Sequence, residues 1–150
     1  MTLQSSEIET AIHDIHAFFT DWIGGRSPGD PETFRKNALD WISDDLVAIF
    51  PAGRMFGKKD FSGYMSGLYG SNPEFRIKIR DVRVAHKGGD MAVVTYQEWQ
   101  RGAKDSDQPE NGRVSTMVVR KNRSGEGIEV LQVHETWLPD EVVAKGDFDF

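Results

Sequence analysis

The sequence contains no cysteine, which excludes a disulfide framework, a thiol nucleophile and a thiolate metal site. It also lacks any apolar run close to the roughly 18 residues that a membrane-spanning helix needs. Residues 1–6 show no basic segment followed by an apolar stretch, so no secretory signal is expected. We therefore expect a soluble, cytoplasmic protein.

Positive charge is also scarce, because 18 Lys and Arg against 24 Asp and Glu give a formal net charge of -6. Nucleic-acid phosphates and anionic membranes repel such a chain, so neither is an expected partner. A length of 150 residues with 38% hydrophobic content indicates one globular domain with its own core. We place this domain at residues 1–140 and interpret 141–150 as a C-terminal tail with a frayed end.

Three helices are predicted in the first half of the chain. Apolar residues recur at steps of four and three between residues 8 and 22, which predicts an amphipathic helix that ends at Gly24-Gly25. Asp30-Pro31 has the residue types that begin a second helix. A short strand at residues 46–50 and a third helix with apolar residues between 61 and 68 follow.

Two histidines on the first helix, His13 and His16, have a spacing compatible with a metal site. His13 falls opposite the apolar stripe and His16 on its flank. No third ligand is evident nearby, so we interpret both as surface residues and predict no metal site.

The second half of the chain predicts four long antiparallel strands. In the first, the apolar alternation of Ile77 and Ile79 continues at Val82 rather than at Asp81. A step of three in a period-two pattern indicates a β-bulge that bends the strand.

The last two strands form a hairpin within residues 113–138, and the final one has two different faces. Alternation places successive side chains on opposite sides of a strand. One face carries Val130, Gln132, His134 and Thr136, and the other carries Leu131, Val133, Glu135 and Trp137. The first face is polar where a core-facing strand is normally apolar, so it either faces water or lines a cavity.

Three segments, residues 41–51, 57–61 and 133–137, give the chain its family resemblance. They are similar to the end of the second helix and first strand, the start of the third helix, and the terminal strand of the NTF2-like superfamily, in its SnoaL-like and DUF4440-like branch. This resemblance implies an α+β, cystatin-like cone in which three N-terminal helices pack on a strongly bent antiparallel sheet. It also implies an apolar pocket inside the cone.

The superfamily includes ketosteroid isomerases, and the resemblance implies where their catalytic groups would lie. The position of their carboxylate base is occupied by Phe50, that of their helix tyrosine by Ala17 or Phe18, and that of their protonated aspartate by Thr116. None of these side chains can fill the corresponding role. Isomerase chemistry of that kind is therefore not expected.

A different polar set remains for the cone. His134, oriented by Glu98, is our candidate general base, with Tyr96 as the third catalytic residue. Glu135 is excluded as its partner because it lies on the opposite face. The expected ligand-binding residues are Trp22, Phe50, Phe61, Tyr64, Arg113, Ser115, Gln132 and Thr136.

Three functions stay open at this point. The first is binding of a small hydrophobic or aromatic molecule, and the second is a cofactor-independent isomerase, cyclase or dehydratase that uses His134. The third is a homodimeric assembly module whose apolar patch contains Met91, Val93, Trp99, Leu131, Val133 and Trp137. With the opposite strand parity, this patch would form the core and the face of His134 the interface.

Overall fold

In the computed structural model, which describes residues 2–150, four α-helices accompany a single six-stranded sheet. The helices are α1 (Ser5–Gly24), α2 (Pro31–Asn37), α3 (Lys58–Ser66) and α4 (Asp140–Ala144). The strands are β1 (Ile42–Ile49), β2 (Met55–Phe56), β3 (Arg76–Gly88), β4 (Met91–Arg101), β5 (Asn111–Lys121) and β6 (Ile128–Trp137). None of the helices within these residues is long and apolar enough to cross a membrane.

The sheet has the strand order β2-β1-β6-β5-β4-β3. The four long strands are antiparallel to one another, as predicted, and β1 joins β6 in parallel. The predicted α+β class, with three helices before the long strands, is confirmed. The parallel pair is a feature that the sequence pattern does not predict.

Helix α1 lies against the inner face of the sheet. Its apolar stripe places Ile8 and Ile12 in one buried cluster with Val94 and Tyr96 of β4. The helix ends where Gly25 adopts a φ of 73°, a conformation that costs glycine little. The chain therefore turns sharply after Gly24, and α1 extends no further than the cone.

A bulge in β3 bends the sheet where the sequence predicts it. Asp81 has a φ of 56°, and the pairing of β3 with β4 shifts between Arg80 and Arg83. The extra residue lets Ile79 and Val82 both pack against the core inside the cone. The step of three in the apolar pattern is thus the sequence signature of this bulge.

A second bulge, in β6, reverses the predicted faces of that strand. Val119 of β5 pairs with Val130, but Val118 pairs with Gln132, so Leu131 is an extra residue. Because one inserted residue moves every following side chain to the other face, Val133, Glu135 and Trp137 point into the cone. The residues between them, Gln132, His134 and Thr136, are exposed on the outer face.

The C-terminal segment is docked on the outer face, contrary to the expectation of a frayed end. The ring centroid of Phe148 lies 5.5 Å from that of Trp99. Arg80 stacks over Trp99 and donates a hydrogen bond of 2.7 Å to the carbonyl of Asp147. Trp99 is consequently only 4% exposed. The domain boundary at residue 140 stays a prediction.

Candidate functional site

A cavity of about 390 Å³ lies between the inner face of the sheet and the helices α1 and α3. This volume is within the range typical of small-molecule sites. Most of the wall is aromatic or aliphatic, and it includes Phe19, Phe50, Phe61, Leu68 and Met117. The cavity therefore favours an apolar occupant.

Charged side chains from three strands and one helix meet in one part of this apolar wall. Residues paired directly across antiparallel strands point to the same side of a sheet. Glu98 of β4 pairs with Arg113 of β5, and Ser115 of β5 pairs with Glu135 of β6. His16 reaches the same cluster from α1.

His16 and Glu98 form a buried pair. The His16 Nε2 atom lies 3.2 Å from a Glu98 carboxyl oxygen, and the two residues are 7% and 5% exposed. The His16 Nδ1 atom lies 2.7 Å from the backbone carbonyl of Ile12. A carbonyl only accepts, so Nδ1 carries a hydrogen. The contact with Glu98 then needs one more proton, held either by the imidazole or by the carboxyl group.

The surroundings place that proton on the imidazole. Burial alone would lower the pKa of His16, but the hydrogen bond and negative charge of Glu98 outweigh it and raise the pKa. Burial likewise opposes ionisation of Glu98, yet hydrogen bonding and attraction to His16, together with Arg113, hold its pKa well below the ordinary value. His16 and Glu98 therefore form an imidazolium–carboxylate pair.

Arg113 and Glu135 form a second buried pair beside the first. An Arg113 guanidinium nitrogen donates to a Glu135 carboxyl oxygen over 2.7 Å. The guanidinium also stacks on the ring of Trp137, with 4.9 Å between its central carbon and the ring centroid. Stacking and pairing fix the side chain of Arg113 against Glu135, and Glu98 attracts its charge as well.

Glu135 has a pKa that its surroundings raise into the neutral range. Burial and repulsion from Glu98 raise its pKa to about 7, in spite of the attraction of Arg113. Tyr96 lies next to the cluster, and burial together with the charges of Glu98 and Glu135 raises the pKa of its hydroxyl well above the ordinary value. The site thus combines a proton acceptor near pH 7 with a hydroxyl that stays protonated.

Six of the predicted site residues line the cavity: Tyr96, Glu98, Arg113, Phe50, Phe61 and Tyr64. Two others lie elsewhere. Ser115 is buried beneath the cavity wall, and its hydroxyl has no hydrogen-bond partner among residues 2–150. Trp22 packs against Phe34 in the helical core and donates to the carbonyl of Met65.

The predicted positions of Gln132, His134 and Thr136 are wrong, because the bulge at Leu131 turns all three side chains outward. His134 therefore lies on the opposite side of the sheet from Glu98. The histidine that pairs with Glu98 is His16, which we expected at the surface. Glu135, excluded as a site residue by the expected alternation, lines the cavity.

The predicted dimer patch also changes. Val133 and Trp137 line the cavity, and Trp99 lies under the C-terminal segment.

The structure contains no group of three or more His, Asp or Glu side chains placed to hold a metal ion within residues 2–150.

Comparison with known structures identifies the fold. An NTF2-like protein of unknown function from Pseudomonas aeruginosa superposes with a TM-score of 0.75 at 22% identity, over 89% of this chain and 99% of that chain. An NTF2-like protein from Cytophaga hutchinsonii gives 0.71 at 15% identity, over 91% and 99%. A protein from Streptomyces avermitilis, described as a possible dehydratase of the NTF2-like family, gives 0.67 at 16% identity, over 89% and 95%.

No curated protein matches the chain. The family model for the SnoaL-like domain matches residues 15–134. This segment contains α1 from Ile15 onward and all strands up to His134 of β6. The chain therefore belongs to the SnoaL-like domain family of the NTF2-like superfamily.

Proposed function

We propose that the cavity binds a small, mainly apolar molecule and that Glu135 exchanges a proton with it. The reaction would be a cofactor-independent isomerisation, cyclisation or dehydration. One observation carries the proposal: an apolar cavity contains a carboxyl group whose pKa is raised to about 7. A general base works best when its pKa is close to the working pH.

Each neighbouring residue has a role in this proposal. Glu135 removes a proton from the bound molecule, and Tyr96, whose hydroxyl stays protonated, donates to the oxygen on which negative charge develops. Arg113 keeps Glu135 oriented through its hydrogen bond. Glu98 stays ionised beside His16, and the negative charge of Glu98 keeps the pKa of Glu135 raised although the charge of His16 opposes it.

The elimination reaction of 5-nitrobenzisoxazole tests this role without knowledge of the natural substrate. In that reaction a base removes the proton on C3, the ring N–O bond breaks, and a cyanophenolate forms. The probe is aromatic and uncharged, and so suits the cavity. We expect the protein to accelerate the reaction, with a rate that rises through a midpoint near pH 7. Glu135→Gln should lower the protein-dependent rate by about 100-fold or more, which is the usual contribution of a general base.

Two control variants make the result specific. Glu9→Gln changes an exposed carboxylate on α1 and should leave the rate unchanged. His134→Ala should also leave it unchanged, because His134 lies on the outer face. Loss of the reaction in His134→Ala but not in Glu135→Gln would overturn the proposal. If the probe binds but is not converted, the result would indicate a binding protein and would contradict the proposed role of Glu135 as a base.

A homodimer is a second proposal, and the composition of the outer face supports it. The nine central outward positions on β4, β5 and β6 hold no Lys, Arg, Asp or Glu, although 28% of the chain is charged. They are Val93, Thr95, Gln97, Val114, Thr116, Val118, Gln132, His134 and Thr136. Charged residues are depleted in the centre of protein interfaces. The centre of this face therefore suits contact with a second copy of this chain.

Light scattering tests the dimer. The natural protein should have twice the mass of the chain, and Thr116→Arg, which puts a charge in the middle row of this face, should give a monomer. A matched change at an exposed position of α1, Thr10→Arg, should leave the dimer intact. A monomeric natural protein at working concentration would refute this proposal.

A further inference from the structure

A chain of two side-chain amides connects the two buried ion pairs. Asn111, at the start of β5, is 0% exposed. Its Oδ1 atom accepts from a guanidinium nitrogen of Arg113 over 3.3 Å, and its Nδ2 atom lies 3.4 Å from Oε1 of Gln100. Gln100 in turn donates from Nε2 to a carboxyl oxygen of Glu98 over 2.5 Å. The amides thus link Arg113 to Glu98.

One backbone carbonyl fixes which end of each amide donates and which end accepts. The Nδ2 atom of Asn111 donates to the carbonyl of Gln108 over 2.9 Å. Because a carbonyl only accepts, the amide of Asn111 must turn its NH2 group to that side and its oxygen to Arg113. The oxygen of Gln100 then faces the NH2 group of Asn111. The NH2 group of Gln100 is left for Glu98.

We propose that Asn111 is a positioning residue of the acid–base site, which directs a donor to Glu98 and holds Arg113 in reach of Glu135. The inference rests on the proposed function, since it names what keeps the proposed base and its neighbours in place. Asn111 acts through Gln100 and Arg113, and it is not among the residues that line the cavity. It therefore orients the charged groups without touching the bound molecule.

The titratable and charged groups around these hydrogen-bonded amides determine how a change at Asn111 should affect the pKa of Glu135. They are His16 from α1, Tyr96 and Glu98 from β4, Arg113 from β5 and Glu135 from β6. In Asn111→Asp, a carboxylate that only accepts replaces the amide, so it competes with Glu135 for Arg113. It also adds a negative charge next to Arg113, which reduces the positive charge that Arg113 offers to Glu135. Both changes favour the protonated form of Glu135.

Titration of Glu135 by carbon NMR tests the proposal without substrate or turnover. In Asn111→Asp, the midpoint of Glu135 should rise by about one pH unit or more, the size of a lost charge partner. Asn37→Asp, an exposed change on α2, should leave the midpoint unchanged. A midpoint that stays unchanged in Asn111→Asp would show that Asn111 only supports the fold, and would overturn the proposal.

Gln100→Leu is the second variant, and it decides the matter if Asn111→Asp does not fold. Leucine removes a hydrogen-bond donor from Glu98, and a hydrogen bond to the ionised form helps to hold the pKa of that carboxyl group down. The carbon NMR signal of Glu98 should therefore report a higher titration midpoint, while Arg113 still pairs with Glu135. An unchanged midpoint of Glu98 would contradict the proposed series of hydrogen bonds. Since neither readout needs the reaction, failure here is distinguishable from failure of the proposed function.

Discussion

Replacement of His16 by leucine removes one partner of the buried pair while an apolar side chain of comparable size fills the space. Glu98 keeps the hydrogen bond from Gln100 but loses the imidazolium 3.2 Å away. Removal of one member of a buried ion pair costs about 3–5 kcal/mol, because the remaining charge is left uncompensated. We expect His16→Leu to lower the free energy of unfolding at pH 7 by an amount in this range.

The pH dependence gives a sharper test than the magnitude. In the natural protein the folded pKa of Glu98 lies below its unfolded value, so Glu98 contributes stability above about pH 4.5. That contribution is lost as the pH falls through the folded pKa. Burial is already the largest single influence on Glu98, and without His16 it is opposed mainly by Arg113 and Gln100. We therefore expect the folded pKa of Glu98 to rise above the unfolded value. The contribution of Glu98 then falls as the pH rises above about 4.5, which is the opposite sign.

Urea denaturation followed by tryptophan fluorescence measures both effects, since the chain has four tryptophans. His13→Leu is the matched control, because His13 lies on the same helix and is exposed; its effect should stay within about 0.5 kcal/mol. The double variant His16→Leu with Glu98→Leu should be more stable than His16→Leu alone, because no buried charge is left unpaired. A loss below about 1 kcal/mol in His16→Leu, with an unchanged pH profile, would refute the buried ion pair.

Two further predictions concern other parts of the structure. Burial and repulsion raise the folded pKa of Glu135 above its unfolded value, so Glu135 should make the natural protein less stable as the pH rises from about 4.5 to 7. Urea denaturation of Glu135→Gln should show that this loss is absent. If stability depends on pH equally in both proteins, the raised pKa of Glu135 is contradicted. Phe148→Ala should lower the free energy of unfolding by about 1 kcal/mol, the usual value of an aromatic pair. It should also expose Trp99 to quenching of its fluorescence by acrylamide. Unchanged quenching would mean that the C-terminal segment does not cover Trp99 in solution.

Local patterns predicted the elements of this fold well. The apolar stripe of α1, the capping of α2 by Asp30 and the bulge at Asp81 all follow from neighbouring residues. Asp30, for example, accepts a hydrogen bond from the backbone of Thr33, as its position before Pro31 indicates. Such features need no knowledge of distant parts of the chain. The resemblance to the NTF2-like superfamily then supplied the arrangement of the elements.

The site was predicted only in part, because it depends on one residue. The bulge at Leu131 has no glycine and no positive φ to mark it, and it decides whether His134 or Glu135 faces the cavity. A signal was present in the sequence, since inward-facing Val130 and Val133 are three residues apart, the same step that marks the bulge at Asp81. Leu131 obscured it, because its own alternation with Val133 also fits a regular strand.

His16 was missed for a different reason. Its place on the flank of the apolar stripe is compatible with either a surface or a buried position, and the sequence does not show what lies opposite. Only the packing of α1 on β4 brings it to Glu98. The partner of a buried polar group on a helix is set by tertiary structure, which no periodicity in the helix itself encodes.

Titration of the Glu135 carboxyl carbon by NMR in the natural protein tests the central claim most directly. The claim is that the apolar cavity contains a carboxyl group able to take up and release a proton near neutral pH. The structure predicts a midpoint near 7, caused first by burial and then by repulsion from Glu98. A midpoint close to 4.5, the ordinary value, would mean that Glu135 is ionised throughout the neutral range, and would contradict the proposed acid–base site.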